Sequence, residues 1–165
     1  MGKKATKASD SIYCMARYEA AEKDPYFESR SNAAETLGIE KTRLARIELG
    51  TLIPYPEEVV SMANAYNTPE LCNAHCATIC PIGQQNVTQV NINDFDRLAL
   101  KALGSLKDID ELRASLIALS EDGSIDTSEE AEFSQILEAL DKISQNAIAL
   151  KLWAKKNTNI DFSNK

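Results

Sequence analysis

Histidine is almost missing from these 165 residues: His75 is the only one. That excludes any catalytic scheme needing two imidazoles. His75 neighbours Cys76, but nothing else supports a Cys–His dyad, and no enzyme is expected. With six glycines the chain has no Gly-rich loop able to cradle a phosphate. No apolar run approaches 18 residues, so no membrane span is expected. The opening Met1-Gly2-Lys3-Lys4-Ala5-Thr6-Lys7 is charged but leads into no apolar segment, which does not fit a secretory signal and suggests a cytoplasmic protein. Internal repeats and low-complexity tracts are missing too.

An excess of positive charge is also lacking. The net charge is −7, which at first argues against nucleic acid. The acidity is uneven, however. Residues 1–67 hold 9 Lys/Arg against 10 Asp/Glu, whereas residues 68–165 hold 9 against 15. A locally basic surface is therefore still available to the N-terminal half. The apolar share of 44% supports a real core and excludes wholesale disorder.

Turn-forming residues divide the chain into helices. Ile12 to Glu22 is rich in Ala and Glu and reads as a helix ended by Asp24-Pro25. Ser29 to Leu37 follows, with Ser29 as N-cap and Gly38 just past the C-terminus. Glu40 to Leu49 is closed by Gly50. Pro56-Glu57-Glu58 opens a fourth helix reaching about Tyr66, with two acids where the helix dipole favours them. A short helix from Pro69 carries three cysteines and stops near Pro81. Gln84 to Asn93 is polar, without a period, and reads as a linker.

Beyond it, Phe95, Leu98, Ala102, Leu106, Ile109, Leu112, Leu116 and Leu119 recur by threes and fours. So do Phe133, Leu137, Leu140, Ile143, Ala147 and Leu150. Glu121 to Ser124 marks a turn between the two stripes. The pattern predicts a long antiparallel helical hairpin with arms of about 25 residues. Two helices make a thin core, so docking on the N-terminal domain or pairing with a second copy into a four-helix bundle is expected to complete the burial. Residues 118–129 line up with a calcium loop, but Ala118 stands where calcium needs a carboxylate. The segment reads instead as a turn whose second helix is capped by Asp126 or Thr127, with Glu129 or Glu130 behind.

The most informative stretch runs Ser29-Arg30-Ser31-Asn32-Ala33-Ala34-Glu35-Thr36-Leu37-Gly38-Ile39-Glu40-Lys41-Thr42-Arg43-Leu44-Ala45-Arg46-Ile47-Glu48-Leu49-Gly50. Two helices that cross tightly need a small residue at the crossing, here Ala34. They need a corner residue tolerant of positive φ, here Gly38. They also need apolar residues at the contact, here Leu37, Ile39, Leu44 and Ile47. With the continuation Pro54-Tyr55-Pro56-Glu57-Glu58-Val59-Val60, the segment resembles the Xre/Cro family of phage-repressor-like DNA-binding domains over about residues 10–80.

The resemblance implies a compact five-helix, repressor-like helix-turn-helix domain; followed by the helical hairpin that the periodicity predicts, it makes an all-α protein. It implies that the helix from Glu40 to Leu49 lies in the major groove. Base contacts then fall to Glu40, Lys41, Thr42 and Arg46, residue types that can read base edges. Phosphate contacts fall to Ser29, Arg30 and Arg43, with Lys3, Lys4 and Lys7 as an arm along the duplex. Glu48 is expected to hold the domain together.

Cys72, Cys76 and Cys80 are spaced by fours along one helix, and the resembled fold would bring Cys14 near them. Four thiolates suit zinc or an iron–sulfur cluster. A continuous helix nevertheless keeps Cys72 and Cys80 about 12 Å apart along its axis. The expectation is reduced, buried thiols and no metal or cofactor, with a Cys14, Cys72, Cys76, Cys80 site as the alternative.

The resulting domain map is a DNA-binding domain over 1–83, a linker over 84–93, a dimerising hairpin over 94–156 and a frayed tail over 157–165. The expected function is a repressor-like transcription regulator acting on duplex DNA as a homodimer. Two alternatives stay open: an adaptor of the same fold that binds a protein partner without DNA, and a thiol- or metal-responsive regulator.

Overall fold

A computed structural model describes residues 10–92, 94–121 and 123–160. The expected lysine arm, within residues 1–9, lies outside the described residues, as do 161–165 of the expected tail. The fold is all-helical, and there is no strand among the described residues. None of the described helices is long and apolar enough to cross a membrane. The chain divides between Gln89 and Val90 into two units, each with its own core.

In the first unit, α1 (Ile12–Lys23) leads through a 3₁₀ turn (Pro25–Glu28) into α2 (Arg30–Leu37) and α3 (Lys41–Glu48). Then come α4 (Pro56–Ala65), α5 (Glu70–Thr78) and the single turn α6 (Gly83–Asn86). Local chemistry sets the joints. The Asp24 carboxylate accepts from the Tyr26 amide at 3.0 Å beside Pro25. The Ser29 hydroxyl accepts from the Asn32 amide at 3.4 Å and caps α2. Gly38 ends α2 at φ 63°, and the Ile39 amide returns to the Ala34 carbonyl at 3.0 Å. The core gathers Ala33, Ala34, Leu44, Ile47, Val59 and Met62, all at most 3% exposed. The small pair Ala33 and Ala34 lets α3 approach α2 closely.

The expected linker over 84–93 is not a free linker. A Cβ on Gly83 would meet the Cys76 carbonyl oxygen at 2.0 Å, so only glycine lets α6 dock on α5. The Gln84 amide donates to the Thr78 carbonyl at 2.6 Å and the Asn73 amide to the Thr88 carbonyl at 3.2 Å. Val90 is already buried in the second core. The polar side chains that resemble a linker in sequence are tying down the end of α5.

The second unit comprises α7 (Phe95–Ser105), α8 (Ile109–Leu119) and α9 (Glu130–Asn157). The returning arm, α9, is one helix of 28 residues. The outgoing arm corrects the expectation of a continuous helix, because it breaks at 106–108 into two helices of 11 residues. Gly104 is a poor helix former, costing about 1 kcal/mol relative to alanine. The Ser105 hydroxyl bonds the Ala102 carbonyl at 2.8 Å, competing with the helical ladder at the same place. The unbroken 3–4 periodicity of the leucines hides this break. At the hairpin turn, Asp126 and Glu129 form a reciprocal capping box. The Glu129 amide donates to Asp126 at 3.2 Å and the Asp126 amide to Glu129 at 3.1 Å. Hydrogen bonds from Ser128 hold the Asp126 carboxyl below its usual pKa.

Candidate nucleic-acid interface

The pair α2 and α3 meets through the Gly38 corner, and α3 has two distinct sides. Leu44 and Ile47 are wholly buried against the core. Full burial of two such side chains contributes roughly 3–6 kcal/mol, enough to fix which way α3 faces. Glu40, Lys41, Thr42 and Arg46 are exposed. Thr42 and Arg46 are neighbours one turn apart, while Glu40 and Lys41 open the helix. Lys41 and Arg46 form no ion pair among the described residues. Of the four residues expected to read bases, Thr42 and Arg46 lie on the side of α3 away from the core, and Glu40 and Lys41 are exposed at its start.

The residues expected to grip phosphate are placed differently. The Ser29 hydroxyl oxygen accepts at the α2 cap, a bond that does not use its proton. Arg30 donates from Nε to the Glu48 carboxylate at 2.8 Å and keeps its side chain 30% exposed. Arg43 forks onto Glu58 at 2.6 and 2.9 Å and lies over the Tyr55 ring at 4.6 Å. The Arg43 guanidinium holds the Glu58 carboxyl below its ordinary range. Glu58 also accepts from the Tyr55 amide at 2.7 Å. These bonds pin α3 to the start of α4, and they offset the charge of Arg43 before any ligand arrives.

Beneath α3, Glu48 has no solvent exposure. It accepts from Arg17 at 2.6 and 3.1 Å as well as from Arg30. Arg17, 2% exposed, also donates to the carbonyls of Phe27 and Glu28 at 2.9 and 3.2 Å. The Glu48 carboxylate thus ties α3 to α1 and α2, and Arg17 ties in the 3₁₀ turn. The structural role expected of Glu48 finds its partners here. The part played by Arg17 has no sequence signal of its own, because a lone arginine on an Ala- and Glu-rich helix reads as surface. Glu58 reads in sequence only as a dipole-favoured acid, yet it also supplies the carboxylate for Arg43.

The cysteines are dispersed in chemistry. Cys14 is fully buried, and burial first, with the Glu48 charge second, pushes its thiol pKa up. It is held as a neutral, unreactive group. Cys72, Cys76 and Cys80 are half-buried, and α5 ends before Cys80. Among the described residues no three His, Cys, Asp or Glu side chains converge into a set able to hold a metal ion. His75 lies in the core, its Nδ1 2.6 Å from the Tyr13 hydroxyl. Burial lowers the pKa of His75 and raises that of Tyr13 to about 12. Both are neutral at pH 7 and share this hydrogen bond, in which the imidazole tautomer decides which of the two donates. No family model, curated protein or solved structure matches the chain.

Proposed function

We propose that this chain is a sequence-specific, duplex-DNA-binding regulator of the Xre/Cro helix-turn-helix type, acting as a homodimer through 94–156. In this reading α3 lies in the major groove, and Glu40, Lys41, Thr42 and Arg46 face base edges. The observation that carries the reading is the two-sided character of α3. Its inner side is locked by Leu44, Ile47 and the Arg43–Glu58 fork, while Lys41 and Arg46 remain exposed and unpaired with any described carboxylate. A rigidly held helix with outward cations is what groove insertion requires, since ordering costs are then met before binding.

Two observations favour a second reading, a protein-binding adaptor. Arg30 and Arg43 are already engaged by carboxylates. Large apolar residues follow α3 on the surface, with Ile53 67% and Tyr55 63% exposed. A selection of bound duplexes from a random library separates the two, run on the wild type and on Arg46→Ala. Enrichment of one inverted-repeat sequence, lost in the variant, is the expected result. No enrichment even in low salt, where phosphate attraction is strongest, overturns DNA binding in favour of the adaptor.

A further inference from the structure

The second unit leaves much of its apolar surface uncovered. On α9, Leu137, Leu140 and Ile148 are 50%, 39% and 38% exposed. Spacings of three and four residues put Glu130, Phe133, Leu137, Leu140, Ser144, Ile148, Lys151 and Lys155 on a single stripe. A groove of about 470 Å³ carries the apolar surface from Leu140 across to Ile109, Leu112, Leu116 and Ile117 of α8. An apolar face of this extent calls for a partner.

The charges of α9 identify that partner. Residues 130–141 carry Glu130, Glu132, Glu138 and Asp141 and no base. Residues 142–157 carry Lys142, Lys151, Lys155 and Lys156 and no acid. A helix graded from acid to base complements itself when two copies run antiparallel, and repels itself when they run parallel. The stripe agrees with this. One antiparallel register sets Glu130 opposite Lys155, Phe133 opposite Lys151, Leu137 opposite Ile148 and Leu140 opposite Ser144. The small serine leaves room for the leucine. The available size is also sufficient. A 28-residue helix is about 42 Å long, and α9 with its flanking helices presents a face about 20 Å wide. That is on the order of 800 Å² from each copy, the size of a stable interface.

We propose that two copies of this chain associate through an antiparallel α9–α9 pair, flanked by α8 of each, with Glu130 meeting Lys155 at both ends. This deepens the homodimer part of the reading above, but it rests on the second unit alone and is tested without DNA, so its failure leaves the α3 reading standing. Sedimentation equilibrium of the full chain at roughly 0.1 M salt is the first measurement. A monomer–dimer equilibrium is expected, and a monomer at all concentrations up to about 100 µM, beyond the range of most specific association, overturns the proposal. Glu130→Lys and Lys155→Glu each set like charges against each other at both ends of the dimer. Each is expected to weaken dimerisation about tenfold, and the double variant to return it within about threefold. Both positions are exposed, so the substitutions leave the fold intact. A dimer indifferent to both single reversals overturns the register. A benzophenone-bearing phenylalanine at position 133 then reads orientation by mass spectrometry. Crosslinking near Lys151 of the second copy is expected, and crosslinking back to position 133 means a parallel pair and overturns the proposal.

Discussion

A carboxylate cut off from water is tolerable only when donors fill its lone pairs, and Glu48 has three such hydrogen bonds from two arginines. Replacing both partners of a buried ion pair by apolar residues is often neutral, but removing one strands the other. Glu48→Ala leaves Arg17 charged and buried, so it is expected to cost about 3–5 kcal/mol in denaturant titration. Arg30→Ala removes a partner that is part-exposed and is expected to cost far less. Equal losses would show that the network is not centred on Arg17. His75 supplies a pH dependence at the same scale. Its folded pKa lies below the ordinary 6.5, so as pH falls through that value the unfolded chain takes up a proton first. Stability is therefore full above that value and declines below it. His75→Asn removes the titration while leaving a hydrogen-bond partner for Tyr13. Denaturant midpoints at about pH 7.5 and 5.5, either side of the imidazole range, should fall between the two in the wild type and change less in the variant. An equal fall in both would assign the effect elsewhere.

At the scale of elements, the helices with punctuation were the legible ones. Ser29, Gly38, Gly50 and Pro56 delimit α2, α3 and α4 because capping and left-handed corners are local chemistry. The break between α7 and α8 was not legible, since Gly104 and Ser105 interrupt the backbone without disturbing the leucine period. Docking of α6 was hidden for the same reason. It depends on the missing side chain of Gly83 meeting the backbone of Cys76, a contact no periodicity records. The candidate interface divides in the same way. The outward residues of α3 follow from helical spacing, whereas the partners of Arg30 and Arg43 come from other elements and only the fold reveals them. The division gives an expected split between two charge deletions. Lys41→Ala should weaken DNA binding by about 1–3 kcal/mol and relax specificity at the base it faces, with stability unchanged. Arg43→Ala should instead lower stability measurably, with the loss matched by Glu58→Ala and not additive with it. Additive losses would show that the fork does not hold α3 to α4.

For the whole molecule, the two units differ in how much they bury. The first encloses a continuous core from α1 to α5, with Leu44, Ile47 and Met62 fully excluded from water. The second, of similar length, buries only Val90, Leu98, Leu119, Ile136 and Ala149 among its described apolar residues. Apolar burial contributes about 25 cal/mol per Å², so the second unit on its own should be the weaker. Association adds stability that depends on concentration, because mass action favours the folded dimer over the unfolded monomer. The sole tryptophan, Trp153, packs on Phe95 at 4.9 Å inside this unit and reports on it selectively. Thermal unfolding of the full chain should therefore show two events. The transition seen by Trp153 fluorescence is expected at lower temperature, and a tenfold rise in protein concentration should move it upward by a few degrees. The remaining transition, seen in far-ultraviolet circular dichroism, should stay in place as concentration changes, since its core is complete within one chain. Glu130→Lys should lower the first event at any given concentration, by about the shift that a tenfold dilution of the wild type gives, and leave the second untouched. A single transition, or a Trp153 transition fixed at all concentrations, would mean that the exposed face of α9 is not covered by a second copy.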